Sequence, residues 1–153
     1  MTRLTIAVPN YNGGKNLQRA IESCKKINIP FEDYEILIVD NCSTDNSIDI
    51  INELNNEFSN LVLIENKENV GRIQNWNVCL ENAKGKFLIF LFSNDAINDQ
   101  NNIHEILEIL DKNEKISIGF SSFLKKEIDN SYIKKSFQTK LLNAHQIFLH
   151  KSV

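Results

Sequence analysis

Pro9-Asn10-Tyr11-Asn12, Asp40-Asn41-Cys42-Ser43-Thr44-Asp45 and Ser93-Asn94-Asp95 set amides, carboxylates and a phenol ring directly after three separate apolar runs. At the carboxyl ends of strands in an open parallel sheet, such residues would line the crevice where ligands bind. Tyr11 can lay its ring against a planar base, while Asn10 and Asn12 offer amide donors and acceptors. Asp40 ends an apolar strand, where an unpaired carboxylate is costly, so it is placed to accept from a nucleobase N–H or a ribose hydroxyl. Asp95, with the Asn94 amide beside it, is the metal candidate, because Mg²⁺ takes one or two carboxylates plus phosphate oxygens and Mn²⁺ suits similar ligands. Between these signatures, the glycine-containing turn from Glu68 to Arg72 opens a helix on which Arg72 can meet a diphosphate. The combined chemistry is that of a nucleotide-binding face.

Each signature also has a plainer explanation. Asn12-Gly13-Gly14 is turn chemistry in its own right. Ser43 or Thr44 can cap the following helix, with Asp45 favoured by the positive end of its dipole. Asn94-Asp95 can open an ordinary loop or cap a helix near Gln100, and Arg72 can be an exposed first-turn arginine. Trp76 reads as core in preference to a stacking platform, and Asn69 as a turn residue.

Periodicity supplies the elements that would hold these residues. Leu4 to Val8 reads as a strand, followed by a helical stripe of Leu17, Ala20, Ile21 and Cys24. The pattern repeats as Ile36 to Val39 before Ile48, Ile51, Leu54 and Phe58, and as Leu61 to Ile64 before Ile73, Trp76, Leu80 and Ala83. Phe87 to Phe92 and then Ile103, Ile106, Leu107 and Leu110 form a fourth unit, and Ile116 to Phe120 a fifth strand. Near-continuous apolar strands require a sheet covered on both faces, and the crossover rule makes the layered α/β arrangement right-handed. Beyond Ser121 the pattern weakens. Lys125 to Asn130 resembles a turn, Tyr132 to Phe137 a strand and Leu141 to Leu149 a short helix.

With 153 residues, 42% hydrophobic and 24% charged, the chain is sized for one globular domain. A net charge of −3 without a long Lys/Arg block argues against nucleic acid as a partner, leaving Lys125-Lys126 and Lys134-Lys135 as solvated surface. No apolar run approaches the roughly 20 residues of a membrane span, and no signal-peptide core opens the chain, so a soluble, cytoplasmic protein is expected. Three cysteines without metal-ligand spacing argue against a disulfide framework or zinc site, and Cys24 and Cys79 read as core.

In this order the motifs resemble the N-terminal, nucleotide-sugar-binding part of a family 2 glycosyltransferase with the Rossmann-like GT-A fold. Ile6 to Asn12 resembles the family's opening strand, and Ile38 to Asp45 its acidic second motif. Asn69-Val70-Gly71 through Asn75-Trp76-Asn77 to Phe87 resembles the third, and Ser93-Asn94-Asp95 stands where the family has its metal-binding acidic motif. The match runs from about Leu4 to Ile97, within a single domain over 1–153 whose C-terminal part looks truncated.

The resemblance implies that Pro9 and Tyr11 flank uracil or another base, and that Asp40 and Asn41 contact base or ribose. Asn94 and Asp95 would face a diphosphate-bound Mg²⁺ or Mn²⁺. It implies an inverting transfer, with a UDP-sugar as favoured donor and a glycan, lipid-linked or protein acceptor. Work at the inner face of the membrane as a peripheral protein is compatible with that role, and self-association is compatible with apolar surface left where a second half would pack. Asn41 and Asn94 stand where acidic residues are common, and Cys42 where glycine is frequent. The catalytic base of such enzymes comes from the C-terminal half, and here only Glu127 and Asp129 are nearby, without a motif match. A non-catalytic nucleotide- or partner-binding module on the same scaffold is the alternative. Asn12-Gly13-Gly14-Lys15 is too meagre for a sugar-nucleotidyltransferase loop, and no G-x-G-x-x-G follows the first strand for a dinucleotide dehydrogenase.

Overall fold

The computed structural model describes residues 1–98, 102–113, 123–126 and 132–135. The chain divides into two compact units, residues 1–100 and 101–153. In the first unit, β1 (Leu4–Asn10), β2 (Tyr34–Asp40), β3 (Leu61–Glu65) and β4 (Phe87–Phe90) form a parallel sheet in the order β3-β2-β1-β4. Helices α1 (Gly14–Ser23), α2 (Ser47–Asn55) and α3 (Arg72–Asn82) connect them in turn. The second unit contains α4 (Asn102–Lys112) and an antiparallel pair, β5 (Phe123–Lys126) and β6 (Tyr132–Lys135).

Both faces of β1 and β2 are closed, as their unbroken apolar runs demand. One face carries Ala7, Leu37 and Val39, with Cys79 of α3 completing the cluster and Val62, Ile64, Leu88 and Phe90 around it. On the other, Leu4, Ile6, Val8, Ile36 and Ile38 are fully buried. Helices α1 and α2 pack on each other and bury Leu17, Ala20, Ile21, Ile51 and Leu54.

Several boundaries and faces differ from the sequence reading. Strand β4 ends at Phe90 instead of Phe92. The Leu91 N–H still donates to the Ala7 carbonyl at 2.9 Å, and the chain then turns as Asp95 N–H reaches the Phe92 carbonyl at 2.8 Å. The α3 stripe is rotated. Ile73 and Leu80 are 60% and 55% exposed, whereas Asn75 and Cys79 face the sheet. The Asn75 amide donates to the Val39 carbonyl at 3.1 Å, and this buried polar anchor sets the helix orientation against the simple apolar pattern. Lys125 and Lys126 belong to β5, not to a turn, because ladder hydrogen bonds satisfy the backbone whatever the side chain. The strand expected over Tyr132 to Phe137 is found as Tyr132–Lys135. The fifth strand expected at 116–120 and the helix expected at 141–149 lie outside the described residues, as does Phe137.

Cys24 and Cys79 are both fully buried, as their positions on helix faces predicted. Burial pushes the Cys24 thiol up to about 12 and the Cys79 thiol up to about 11 from an ordinary 9.0. A disulfide reagent is therefore expected to titrate only the exposed Cys42 rapidly in the native protein, and all three thiols after unfolding. Two fast native thiols would contradict this packing. Because the folded state keeps its thiol protons to higher pH than the unfolded chain does, stability is fully present below pH 9. It falls above that by up to about 1.4 kcal/mol per pH unit for each thiol.

Candidate functional site

All three sequence signatures reach the same rim, because the four strands of the sheet are parallel and their carboxyl ends lie together. Pro9 is tolerated within β1 for a topological reason. Odd-numbered β1 residues turn their backbone toward β4, as the Ala7 carbonyl shows in accepting from Leu91, and Pro9, without an N–H, sits where the β1–β4 pairing ends after Ala7 and Phe90.

Asp40 is the centre of the site. It is 2% exposed at the last position of β2. Its Oδ1 accepts from Asn10 Nδ2 at 2.7 Å and from the Ser43 hydroxyl at 2.6 Å, while its Oδ2 accepts from the Ser43 N–H at 2.7 Å. Three donors thus occupy three of roughly four lone-pair directions of the carboxylate, leaving one on Oδ2. Asn10 is 1% exposed, and its Nδ2 also donates to Ser43 Oγ at 3.2 Å. Its Oδ1 is buried without a hydrogen-bond partner among the described residues.

Other polar residues join the loops to one another. Asn12, with a left-handed φ of 53°, accepts at Oδ1 from the N–H groups of Thr44 at 2.8 Å and Asp45 at 3.3 Å. Ser47 Oγ accepts the N–H groups of Gly13 and Gly14, both at 3.1 Å. Asn12 Oδ1 is therefore engaged within the protein. Neither Ser43 nor Thr44 caps α2. Asp45 comes nearest to that role, accepting from the Ser47 N–H at 3.0 Å, so the capping expectation holds in part for the acid alone. Gly13 has no room for a side chain, since a Cβ would lie 2.2 Å from Asn10 Oδ1 and 3.1 Å from Ser93 Cβ, which sets the first and fourth strand ends side by side.

Tyr11 projects at the rim, 51% exposed. Asn94 and Asp95 are exposed, and Arg19 holds their loop by donating from its guanidinium to the Asn94 carbonyl. Among the described residues no three His, Cys, Asp or Glu side chains gather as a metal site. Arg72 opens α3, its guanidinium carbon 5.5 Å from the Trp76 ring centroid. Trp76 also packs on Phe90 and Phe92, with centroids 6.0 and 5.4 Å away, so it is half-buried structural support and a platform for Arg72. Glu127 and Asp129 lie outside the described residues.

Asn66 was not singled out by sequence reasoning, and Asn75 entered it only as part of the third motif. Asn41 is 3% exposed and its amide is engaged with Asn66, Asn69 and the Val70 backbone. The density of asparagines from Asn66 to Asn77 was the available signal, but turn propensity explained it as readily. A shallow hollow lined by Thr2, Tyr34, Asn60 and Lys84 opens at the amino ends of the strands. It gathers none of the three signatures, whereas the carboxyl rim gathers them all.

The family model described as "Glycosyl transferase family 2" matches residues 5–151. The poly(ribitol-phosphate) beta-glucosyltransferase of Bacillus spizizenii is 34% identical over 99 residues, spanning 64% of this chain and 16% of that protein. TarS of Staphylococcus aureus, a poly(ribitol-phosphate) beta-N-acetylglucosaminyltransferase, is 31% identical over 100 residues, spanning 65% of this chain and 18% of its own. A crystal structure of S. aureus TarS 1-349 in complex with UDP-GlcNAc shares the fold with a TM-score of 0.67 at 29% identity, covering 74% of this chain and 32% of that one. The chain spans less than a fifth of the two relatives matched by sequence.

Proposed function

The chain belongs to glycosyl transferase family 2, with the Rossmann-like GT-A fold, and from that premise we propose that it is the donor-binding part of a sugar-transferring enzyme. Residues 1–153 form one GT-A-like domain in this reading, with the donor motifs in 1–97. The reaction is transfer of a sugar from a nucleoside diphosphate to an acceptor hydroxyl, with inversion at the anomeric carbon. The observation that carries the proposal is Asp40, a buried carboxylate held by three hydrogen bonds at the end of β2, on the rim that also carries the exposed Tyr11.

Tyr11 and Pro9 flank the base, and Asp40 accepts its N–H or a ribose hydroxyl. Asn10 holds Asp40 in place, Asn41 belongs to the adjoining wall, and Arg72 faces the diphosphate. Asn94 and Asp95 fit a hard cation of the Mg²⁺ or Mn²⁺ kind that arrives with the nucleotide, because such an ion needs only one or two protein carboxylates when phosphate oxygens and water complete its shell. When bound, the ion would stabilise the departing nucleoside diphosphate. A UDP-sugar is the favoured donor, supported by the UDP-GlcNAc held by the TarS neighbour. Surface glycan assembly on a cytoplasmic, peripherally attached enzyme fits the relatives' polymer acceptors. No helix among the described residues is long and apolar enough to cross a membrane.

Calorimetric titration with UDP and GDP, each with and without Mn²⁺, tests the reading. UDP is expected to bind more tightly with Mn²⁺, and Asp95→Ala to remove that gain while leaving metal-free binding unchanged. If the folded chain binds neither nucleotide, the donor-site reading fails and a partner-binding module takes its place. Metal-dependent turnover of a UDP-sugar by the chain would exclude the non-catalytic module.

A further inference from the structure

Four asparagines join the ends of β2 and β3 to the start of α3. Asn41 Nδ2 donates to Asn69 Oδ1 at 2.8 Å, and Asn41 Oδ1 accepts from Asn66 Nδ2 at 3.2 Å and from the Val70 N–H at 2.9 Å. Asn69 Oδ1 accepts in addition from the Gly71 N–H at 3.0 Å. Asn66 Nδ2 passes the relay to Asn75 Oδ1 at 2.8 Å, and Asn75 returns it to the sheet through the Val39 carbonyl. Asn41 and Asn75 are each 3% exposed, so two anchors are buried and the far end, Asn69, emerges at the surface. Gly71, with φ of 80°, then delivers the chain into α3 at Arg72.

We propose that Asn41 is a positioning residue for the donor's phosphates, acting through Asn69 and Gly71 on Arg72 and making no contact with base or ribose. This role presupposes the donor site described above. An amide is required at position 41 because the side chain must donate to Asn69 on one side and accept from Asn66 and Val70 on the other. A carboxylate accepts only. It would face Asn69 Oδ1, which cannot turn round without setting its NH₂ against the Gly71 N–H. The turn would have to shift, and Arg72 with it. An acidic residue at this position would therefore displace the phosphate contact while leaving Asp40, Asn10 and Tyr11 as they are.

The test is a pair of titrations on the full chain, with UDP and with uridine, for the unaltered protein and for Asn41→Asp, Asn69→Ala and Arg72→Ala. Asn41→Asp is expected to weaken UDP by about tenfold or more while uridine affinity changes by less than about twofold, as loss of a charged-group hydrogen bond implies. Asn69→Ala, which truncates an exposed side chain, and Arg72→Ala are expected to give the same split, and the Asn41→Asp/Arg72→Ala double variant to bind UDP no worse than Arg72→Ala alone. Equal losses of UDP and uridine in a folded Asn41→Asp protein would overturn the proposal in favour of direct base or ribose contact. Unchanged UDP affinity would overturn it outright. Should Asn41→Asp fail to fold, Asn69→Ala decides, since unaltered UDP binding there breaks the relay argument. Failure of the unaltered chain to bind UDP refutes the donor site itself, an outcome distinct from all of these.

Discussion

Asp40→Ala is expected to lose at least about tenfold in UDP affinity and about 2–4 kcal/mol of stability, and Asp40→Asn is expected to recover most of the stability but little of the binding. Alanine leaves Asn10 Nδ2 and the Ser43 N–H buried or half-buried without their shared acceptor. Asparagine behaves differently because of its neighbour. Asn10 Oδ1 has no partner among the described residues, so the Asn10 amide can turn over without abandoning a bond to them at that oxygen. Turned, it accepts from an amide at position 40 and from the Ser43 hydroxyl, while the new residue's oxygen still receives the Ser43 N–H. The bonds around position 40 close again, with the turned Asn10 NH₂ in the unpartnered place of its oxygen, but a charge-assisted acceptor has become a neutral one. Urea unfolding and UDP calorimetry on the two variants separate the structural role of Asp40 from its binding role. Equal stability of both variants would show that the cluster does not hold the rim, and unimpaired UDP binding by Asp40→Ala would remove Asp40 from the site.

Gly85→Ala is expected to be the most destabilising single methyl in the molecule's first unit, at about 3 kcal/mol or more. A Cβ there would lie 2.4 Å from the Thr5 nitrogen, 2.6 Å from the Leu4 carbonyl carbon and 2.7 Å from the Phe87 oxygen. All three are backbone atoms of paired strands, so no side chain can swing aside. The same shift would pull on the buried Thr5 hydroxyl, which accepts from the Gly85 N–H at 2.9 Å and donates to Glu35 at 2.6 Å. Gly71→Ala is the control. Among the described residues nothing lies within 4 Å of its Cβ position, and the cost is that of a backbone at φ 80° and ψ 161°, a region essentially reserved to glycine, at about 1–3 kcal/mol. A smaller shift in the urea midpoint for Gly85→Ala than for Gly71→Ala would contradict the close packing of the α3–β4 turn against β1.

The four parallel strands, their layering and the rim on which the polar signatures meet were legible in the amino-acid order itself, whereas part of β5 read as a turn. An apolar run and the polar break that ends it are local features, and a helix-length segment between runs leaves little but a parallel connection. Asp40 was legible for the same reason, since a carboxylate closing a buried strand needs partners. The family motifs were likewise readable in order along one stretch of chain. The partners themselves were not. Whether an asparagine faces a ligand or the protein depends on groups about 25 to 36 residues away, as Asn12 finds in Thr44 and Asp45, Asn41 in Asn66, and Asn75 in Val39. The orientation of α3 followed the same rule, because a buried amide that must reach a strand carbonyl outweighed the apolar stripe of Ile73 and Leu80. Hydrophobic periodicity is a property of the segment. Hydrogen-bond satisfaction is a property of the assembled core, and only the tertiary structure decided which polar side chains remained at the rim.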